Sequence, residues 1–231
     1  MSENVGLIGV GTMGSVILDR LCGAGYSVYA ADPAPGARKR IETAGASFCG
    51  APAEVVGTSE LILLSLPAPM HIETVVTGER GLLEEATEKH IIVDTSTVDP
   101  ETSRMMAERL AAAGASYLDA PILGRPVSIG NWVLPVGGEA SALKRAEPVL
   151  SIFAKNLVHV GPSGAGNTLK LLNQLMFSTI NGITAEVMAI AEKAGLSRKV
   201  FFETVADSGA ATVSGLFKEC GRKITDGDYS A

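Results

Sequence analysis

Val5-Gly-Leu-Ile-Gly9-Val-Gly11-Thr12-Met13-Gly14 is a short aliphatic run that breaks into glycines spaced G-x-G-x-x-G. Residues 5–10 read as a strand, and residues 15–22 read as a helix that closes at Gly23 and Gly25. The glycines therefore sit at a strand-to-helix junction, and each has a physical job there. One permits a tight turn, one lets backbone approach a pyrophosphate closely, and one brings the helix against the strand; the helix N-terminus adds positive potential. A second strand, Ser27–Ala31, runs into Asp32, 23 residues after Gly9. A carboxylate there accepts hydrogen bonds from both ribose hydroxyls and repels a 2′-phosphate, so the unit predicts NAD binding. Arg38, Lys39 and Arg40 on the next helix keep NADP open, although a basic run on a helix is also an ordinary solvated face.

Outward from this unit, residues 36–44 read as a helix, and residues 61–66 and 91–94 as buried apolar strands. Residues 100–113 form a helix with Pro100 and Glu101 in its first turn, as helix starts prefer. A strand over 115–119, a Gly/Pro-bearing loop, alternation over 132–136, a helix over 139–153 and a strand over 157–160 follow. Strands alternating with helices predict an α/β fold with a Rossmann-type doubly wound parallel sheet over residues 1–162. From residue 165 to 194 the apolar residues Leu169, Leu172, Met176, Ile180, Ile183, Val187 and Ile190 recur at spacings of three and four. Leu171, Leu175 and Met188 fall on other faces, which predicts a helix covered on most sides. About 30 residues at 1.5 Å rise span some 45 Å, so this helix leaves the first domain and opens a second over 163–231. Residues 197–231 supply one further helix and a tail, too little for an independent core. Either a partner subunit completes that region, making a homo-oligomer, or the chain stops short of a full all-α domain.

The 231 residues are 46% hydrophobic and 19% charged, the balance of a folded globular protein. A net charge of -6 argues against nucleic acid or an anionic membrane as partner. Cys22, Cys49 and Cys220 form an odd, widely spaced set, which suits reduced thiols in the cytoplasm. No basic leader precedes the first strand and no apolar run reaches the roughly 18 residues of a membrane span. His71, His90 and His159 lack ligand spacing, so no metal site is expected.

Ligands of open α/β sheets bind beyond the carboxyl ends of the strands. Ser65-Leu66-Pro67 and Asp94-Thr95-Ser96-Thr97 occupy such ends, where ordinary turn chemistry is the competing explanation. Further along, Gly161-Pro-Ser-Gly164-Ala-Gly166-Asn-Thr-Leu-Lys170-Leu-Leu-Asn173 places a glycine-rich turn before a helix. Lys170 and Asn173, three apart, share a face. A lysine flanked by Leu169, Leu171 and Leu172 is partly desolvated, which lowers its pKa toward the range useful for proton transfer. By the residues alone, a lysine snorkelling from an amphipathic helix is the better reading.

Together, the glycine motif at 5–14, Asp94-Thr-Ser-Thr-Val-Asp-Pro100, Asp119-Ala-Pro121 and the Gly161 to Asn173 segment resemble the β-hydroxyacid dehydrogenase family, which includes 3-hydroxyisobutyrate and tartronate semialdehyde dehydrogenases. The motifs occur in family order. The resemblance implies a Rossmann domain joined by a long helix to an all-helical domain, and interconversion of a short 3-hydroxy acid and its semialdehyde or ketone. It implies that Lys170 is the general acid/base, that Asn173 orients lysine and substrate, and that Leu66, Pro67 and Ser96 contact the cofactor. Thr12 and Met13 would lie near the pyrophosphate and nicotinamide ribose.

Two departures qualify what the resemblance implies. The family continues Asp-Ala-Pro with a Val-Ser-Gly-Gly type loop that holds the substrate carboxylate, whereas here residues 122–125 are Ile122-Leu123-Gly124-Arg125. Leu123 has no side-chain donor; Arg125 either presents its planar fork to an acid or faces solvent at a loop tip. The chain also ends at Gly227-Asp-Tyr-Ser-Ala231, about where family members begin the motif for a lysine that closes over the cofactor. An imine reductase-like enzyme and a catalytically idle dinucleotide-binding module are the alternatives. Lys170 counts against the first, and the early end keeps the second open.

Overall fold

The structure, a computed structural model, describes residues 4–201 and 204. The strands are β1 (Asn4–Ile8), β2 (Ser27–Ala31), β3 (Ser47–Phe48), β4 (Leu61–Leu64), β5 (Ile91–Asp94), β6 (Ser116–Asp119), β7 (Trp132–Gly137) and β8 (Ala154–Gly161). The helices are α1 (Thr12–Gly23), α2 (Ala37–Thr43), α3 (Pro52–Thr58), α4 (Pro69–Thr77), α5 (Pro100–Ala112), α6 (Ala140–Leu150) and α7 (Ala165–Lys193). The strands form one sheet in the order β3-β2-β1-β4-β5-β6-β7-β8, so the winding reverses between β1 and β4. A crevice opens at such a reversal, beyond the carboxyl ends of the two strands.

Alternate residues of each strand feed opposite faces. On one face Leu61 and Leu63 of β4 join Ile17, Leu18 and Leu21 of α1 and Val149 and Leu150 of α6. On the other, Ile62 and Leu64 meet Val55 and Val56 of α3, Ile72 and Val76 of α4, and Met106 and Leu110 of α5. The near-continuous apolar runs of β4 and β5 are thus those of strands buried on both sides.

Three differences from the sequence expectation have physical causes. The pair β6·β7 is antiparallel, with Asp119 opposite Gly137. Only a single 3-10 turn, Pro126–Ser128, lies between these strands, so the chain returns directly instead of making the α-helical crossover that a parallel pair needs. The run over 61–66 leaves the sheet at Leu64, and Ser65 to Pro67 turn away over the crevice. The short helices α3 and α4 and the two-residue strand β3 carry too few periodic positions to be read from the sequence.

The chain divides into two compact units, Met1–Leu172 and Asn173–Ala231, with the division inside α7 rather than at residue 162. In the second unit Leu175, Met176, Phe177, Ile183 and Ile190 are exposed, so the described residues do not supply the cover expected for that helix. Beyond it, residues 198–201 and 204 are helical; the rest of the expected helix and tail, with Cys220 and residues 227–231, lies outside the described residues. No described helix is long and apolar enough to cross a membrane.

Candidate active site

The crevice at the β1/β4 reversal is a cleft of about 620 Å³ lined by Gly9, Gly11, Thr12, Met13, Asp32, Leu66 and Pro67, among others. Gly9 has φ +93°, and a Cβ there would overlap the carbonyl oxygen of Ser65. A Cβ on Gly14 would overlap the carbonyl oxygen of Gly9, which is why α1 can start directly above β1. Gly11 differs: no atom lies within 4 Å of where its Cβ would stand, so backbone borders open cleft. At its N-terminus α1 has neither a side-chain cap nor an acidic first turn. Its leading N–H groups and the positive end of its dipole are free to meet an anion.

Asp32 is fixed from two sides. Val10 N–H donates to Oδ2 at 2.7 Å and Ala34 N–H to Oδ1 at 2.8 Å, leaving further lone pairs for a ribose. Of the basic run, Arg38 pairs with Glu42 and stacks over Phe48, and Arg40 pairs with Asp19, while Lys39 is exposed. Arg38 also lines a hollow beside Asp32, with Cys49 and Glu79. The open Gly11 backbone, the uncapped helix start and the tethered carboxylate together fit a dinucleotide.

A second cleft of about 290 Å³ shares Met13, Ser65, Leu66 and Pro67 with the first and is closed by Thr95, Ser96, Thr97, Ile122, Gly124 and Lys170. Ser96 N–H donates to Asp94 Oδ1 at 2.8 Å, and Leu66 N–H donates to Ser96 Oγ at 2.9 Å, so the two strand-end turns are tied to each other. Lys170 is 9% exposed and donates from Nζ to the carbonyl of Ile122 at 2.8 Å. Burial pulls its pKa below that of an ordinary lysine, because the charged form loses hydration. The lysine is therefore not a snorkelling surface residue.

The other sequence candidates are placed as follows. Asn173 stands three residues beyond Lys170 on α7, exposed, as the first residue of the second unit. Leu123 is held through its backbone, bridging Val133 in an antiparallel manner. Gly124 borders the second cleft, and a Cβ there would overlap the indole of Trp132. Arg125 is exposed and is not among the residues lining that cleft; its carbonyl accepts from Trp132 Nε1 at 2.8 Å.

Sequence reading missed His71, Thr74 and Val75, which α4 brings to the first cleft. It also gave no role to the buried polar residues behind the second. Asp119 accepts from Gly164 N–H at 2.7 Å and Asn167 N–H at 2.8 Å, and Tyr117 donates to Asp94 at 2.7 Å. Burial raises the pKa of both aspartates, and raises that of Tyr117 well above its ordinary value. Asp119 falls in the Asp-Ala-Pro motif, but its partners lie 45 and 48 residues away and leave no local signal. His90 Nδ1 accepts from Thr87 N–H, and among the described residues no His/Cys/Asp/Glu group could hold a metal.

Residues 4–161 match the model of the NAD binding domain of 6-phosphogluconate dehydrogenase. Residues 164–231 match that of the NAD-binding of NADP-dependent 3-hydroxyisobutyrate dehydrogenase. The chain is 33% identical over 207 residues to a 3-hydroxyisobutyrate dehydrogenase of Pseudomonas aeruginosa, covering 89% of this chain and 70% of that protein. It is 30% identical over 231 residues to a 2-(hydroxymethyl)glutarate dehydrogenase of Eubacterium barkeri, covering 99% and 76%. A solved structure of 3-hydroxyisobutyrate dehydrogenase from Mycobacterium tuberculosis with L-serine superposes with a TM-score of 0.84 at 28% identity, covering 92% of this chain and 72% of that one.

Proposed function

The chain belongs to the β-hydroxyacid dehydrogenase family, and on that premise we propose that it interconverts a short 3-hydroxy acid and its semialdehyde, with Lys170 as the proton donor and acceptor. Membership supports NAD(P)-dependent dehydrogenase activity on hydroxy acids, and the domain that carries it binds NAD or NADP. The observation that carries the finer reading is the buried Lys170 amine at the wall of a cleft continuous with the glycine-rich one.

A bound nicotinamide would supply the hydride acceptor or donor for the substrate carbon. The protein's own part is binding, orientation and proton movement. Gly9, Gly11, Thr12, Met13 and Gly14 cradle the pyrophosphate, and Asp32 takes the ribose hydroxyls, which favours NAD over NADP. Leu66, Pro67 and Ser96 line the cleft where they would border the nicotinamide half. In oxidation Lys170 Nζ, as the free amine, takes the hydroxyl proton while the carbon becomes a carbonyl. In reduction the ammonium gives that proton back.

Asn173 is assigned by family resemblance to orient the substrate. From the loop over 122–125, Ile122 and Gly124 border the cleft, with Leu123 fixed by its backbone; Arg125 would have to swing inward to meet an acid. For the whole chain, the exposed apolar residues Leu175, Phe177 and Ile183 support self-association through the helical region. The free thiols of Cys22 and Cys49 support a reducing, cytoplasmic setting.

The test is a panel of 3-hydroxyisobutyrate, 2-(hydroxymethyl)glutarate and L-serine with NAD and with NADP, alongside a cyclic imine with NADPH, read by the absorbance of reduced cofactor. The reading expects oxidation of at least one hydroxy acid, faster with NAD. Cofactor binding without turnover of any hydroxy acid would mark an idle module, and turnover of the imine alone would mark a reductase of the same fold.

A further inference from the structure

A helix start leaves its first N–H groups without partners inside the helix. At α7 two of these are taken by one buried carboxylate from the end of β6: Gly164 N–H and Asn167 N–H donate to the two oxygens of Asp119. The negative charge also complements the helix dipole. The carboxylate sets the axial position of the helix end, and Gly166, close against the Asp119 and Pro135 carbonyls, holds the turn on the sheet side; the side toward α5 needs its own tie.

Asn167 supplies what is missing. It is 0% exposed, and its side chain reaches two places at once: Oδ1 accepts from Val98 N–H at 3.1 Å, and Nδ2 donates to Ser103 Oγ of α5 at 3.0 Å. Lys170 lies three residues further along α7, on the same face of the helix. Both are buried, Asn167 against the β5–α5 segment and Lys170 with its amine on Ile122 O.

The bonds continue toward the cofactor cleft. Ser103 also hydrogen-bonds Tyr117, Tyr117 donates to Asp94, Asp94 accepts from Ser96 N–H, and Ser96 Oγ accepts from Leu66 N–H. One buried chain of hydrogen bonds therefore holds both the helix that carries the lysine and the turns that form the opposite wall.

We propose that Asn167 is the positioning residue of Lys170: its amide locks the rotation of the first turn of α7 and so places the lysine amine at the cleft wall. The magnitudes allow it. On a Cα radius of about 2.3 Å, a rotation of roughly 25° moves a residue by about 1 Å, and a misplacement of that size costs on the order of 100-fold in rate. The role matters for catalysis only if Lys170 moves the substrate proton, so it rests on the function proposed above.

The experiment needs no substrate. Acetic anhydride is applied in limiting amount across a pH series, and acetylation of Lys170 is read by mass spectrometry against the exposed Lys39 and Lys144. In the wild type, burial places the Lys170 midpoint below that of an ordinary lysine. In Asn167→Ala the Lys170 midpoint rises toward that of an ordinary lysine, while the extent of acetylation at Lys39 and Lys144 and the affinity for NADH stay as in the wild type. Ser103→Ala removes one of the two partners without touching α7 and gives a smaller shift in the same direction. A Lys170 midpoint that stays in place in folded Asn167→Ala overturns the proposal. If that variant does not fold, an unmoved midpoint in Ser103→Ala overturns it. Because no turnover is measured, either result is separate from whether Lys170 serves the reaction.

Discussion

Lys170 holds its amine where water is scarce, against the Ile122 carbonyl, and burial is what lowers its pKa. The sign of the pH dependence follows. If Lys170 moves the substrate proton as proposed, oxidation needs the free amine, so its rate should rise as pH climbs through the Lys170 pKa; reduction needs the ammonium and should fall over the same range. Both inflections should lie below the roughly 10.4 of an unperturbed lysine. Rate profiles in the two directions check this, and an oxidation rate that falls with pH contradicts it. At the other end of the cofactor cleft, Asp32 is held by Val10 N–H and Ala34 N–H with Arg38 nearby. Asp32→Ser removes the charge that repels a 2′-phosphate and should raise the NADP-to-NAD ratio of kcat/KM by about tenfold or more. An unchanged ratio removes Asp32 from cofactor selection.

The β1–α1 junction separates two kinds of glycine. Gly11→Ala places a methyl in open cleft, so thermal stability should hold while NADH binding weakens; Gly14→Ala collides with the Gly9 carbonyl and should lower Tm by several degrees, in line with about 1–3 kcal/mol for overpacking. Thermal melts and NADH titrations of both variants distinguish the roles, and equal Tm losses would refute the assignment. This junction was legible in the sequence because strand, glycine spacing and helix are local features. Ser27–Ala31 and Ile91–Asp94 were likewise readable as β-branched or aliphatic runs. By contrast α3 and α4 begin at Pro52 and Pro69, last 7 and 9 residues and bury two side chains each, so their periodicity is faint. The direction of β7 depends on a loop that returns with only a 3-10 turn and no crossover α-helix, which no local pattern encodes. The site divides the same way. Gly9, Gly11, Gly14, Asp32 and Lys170 could be named from motif and spacing, but Asp119, Asn167 and Tyr117 act through partners distant in sequence and close only in the fold.

Across the whole chain, the Met1–Leu172 unit carries every lining residue of the two contiguous clefts. The Asn173–Ala231 unit, considered separately, exposes large apolar side chains along its helix, among them Leu175, Phe177 and Ile183. Self-association through that region should appear as a species larger than one 23.8 kDa chain in light scattering, and a strictly monomeric profile would refute it. The proposal that cofactor binding and proton transfer are separate jobs, with Lys170 performing the second, concerns the first unit. It is tested most directly by comparing turnover of the best hydroxy acid by the wild type and Lys170→Ala, with NADH affinity measured on the same samples. Lys170→Ala should lose turnover by about 10²- to 10⁴-fold while retaining NADH affinity. Near-normal turnover in Lys170→Ala would contradict the proposal.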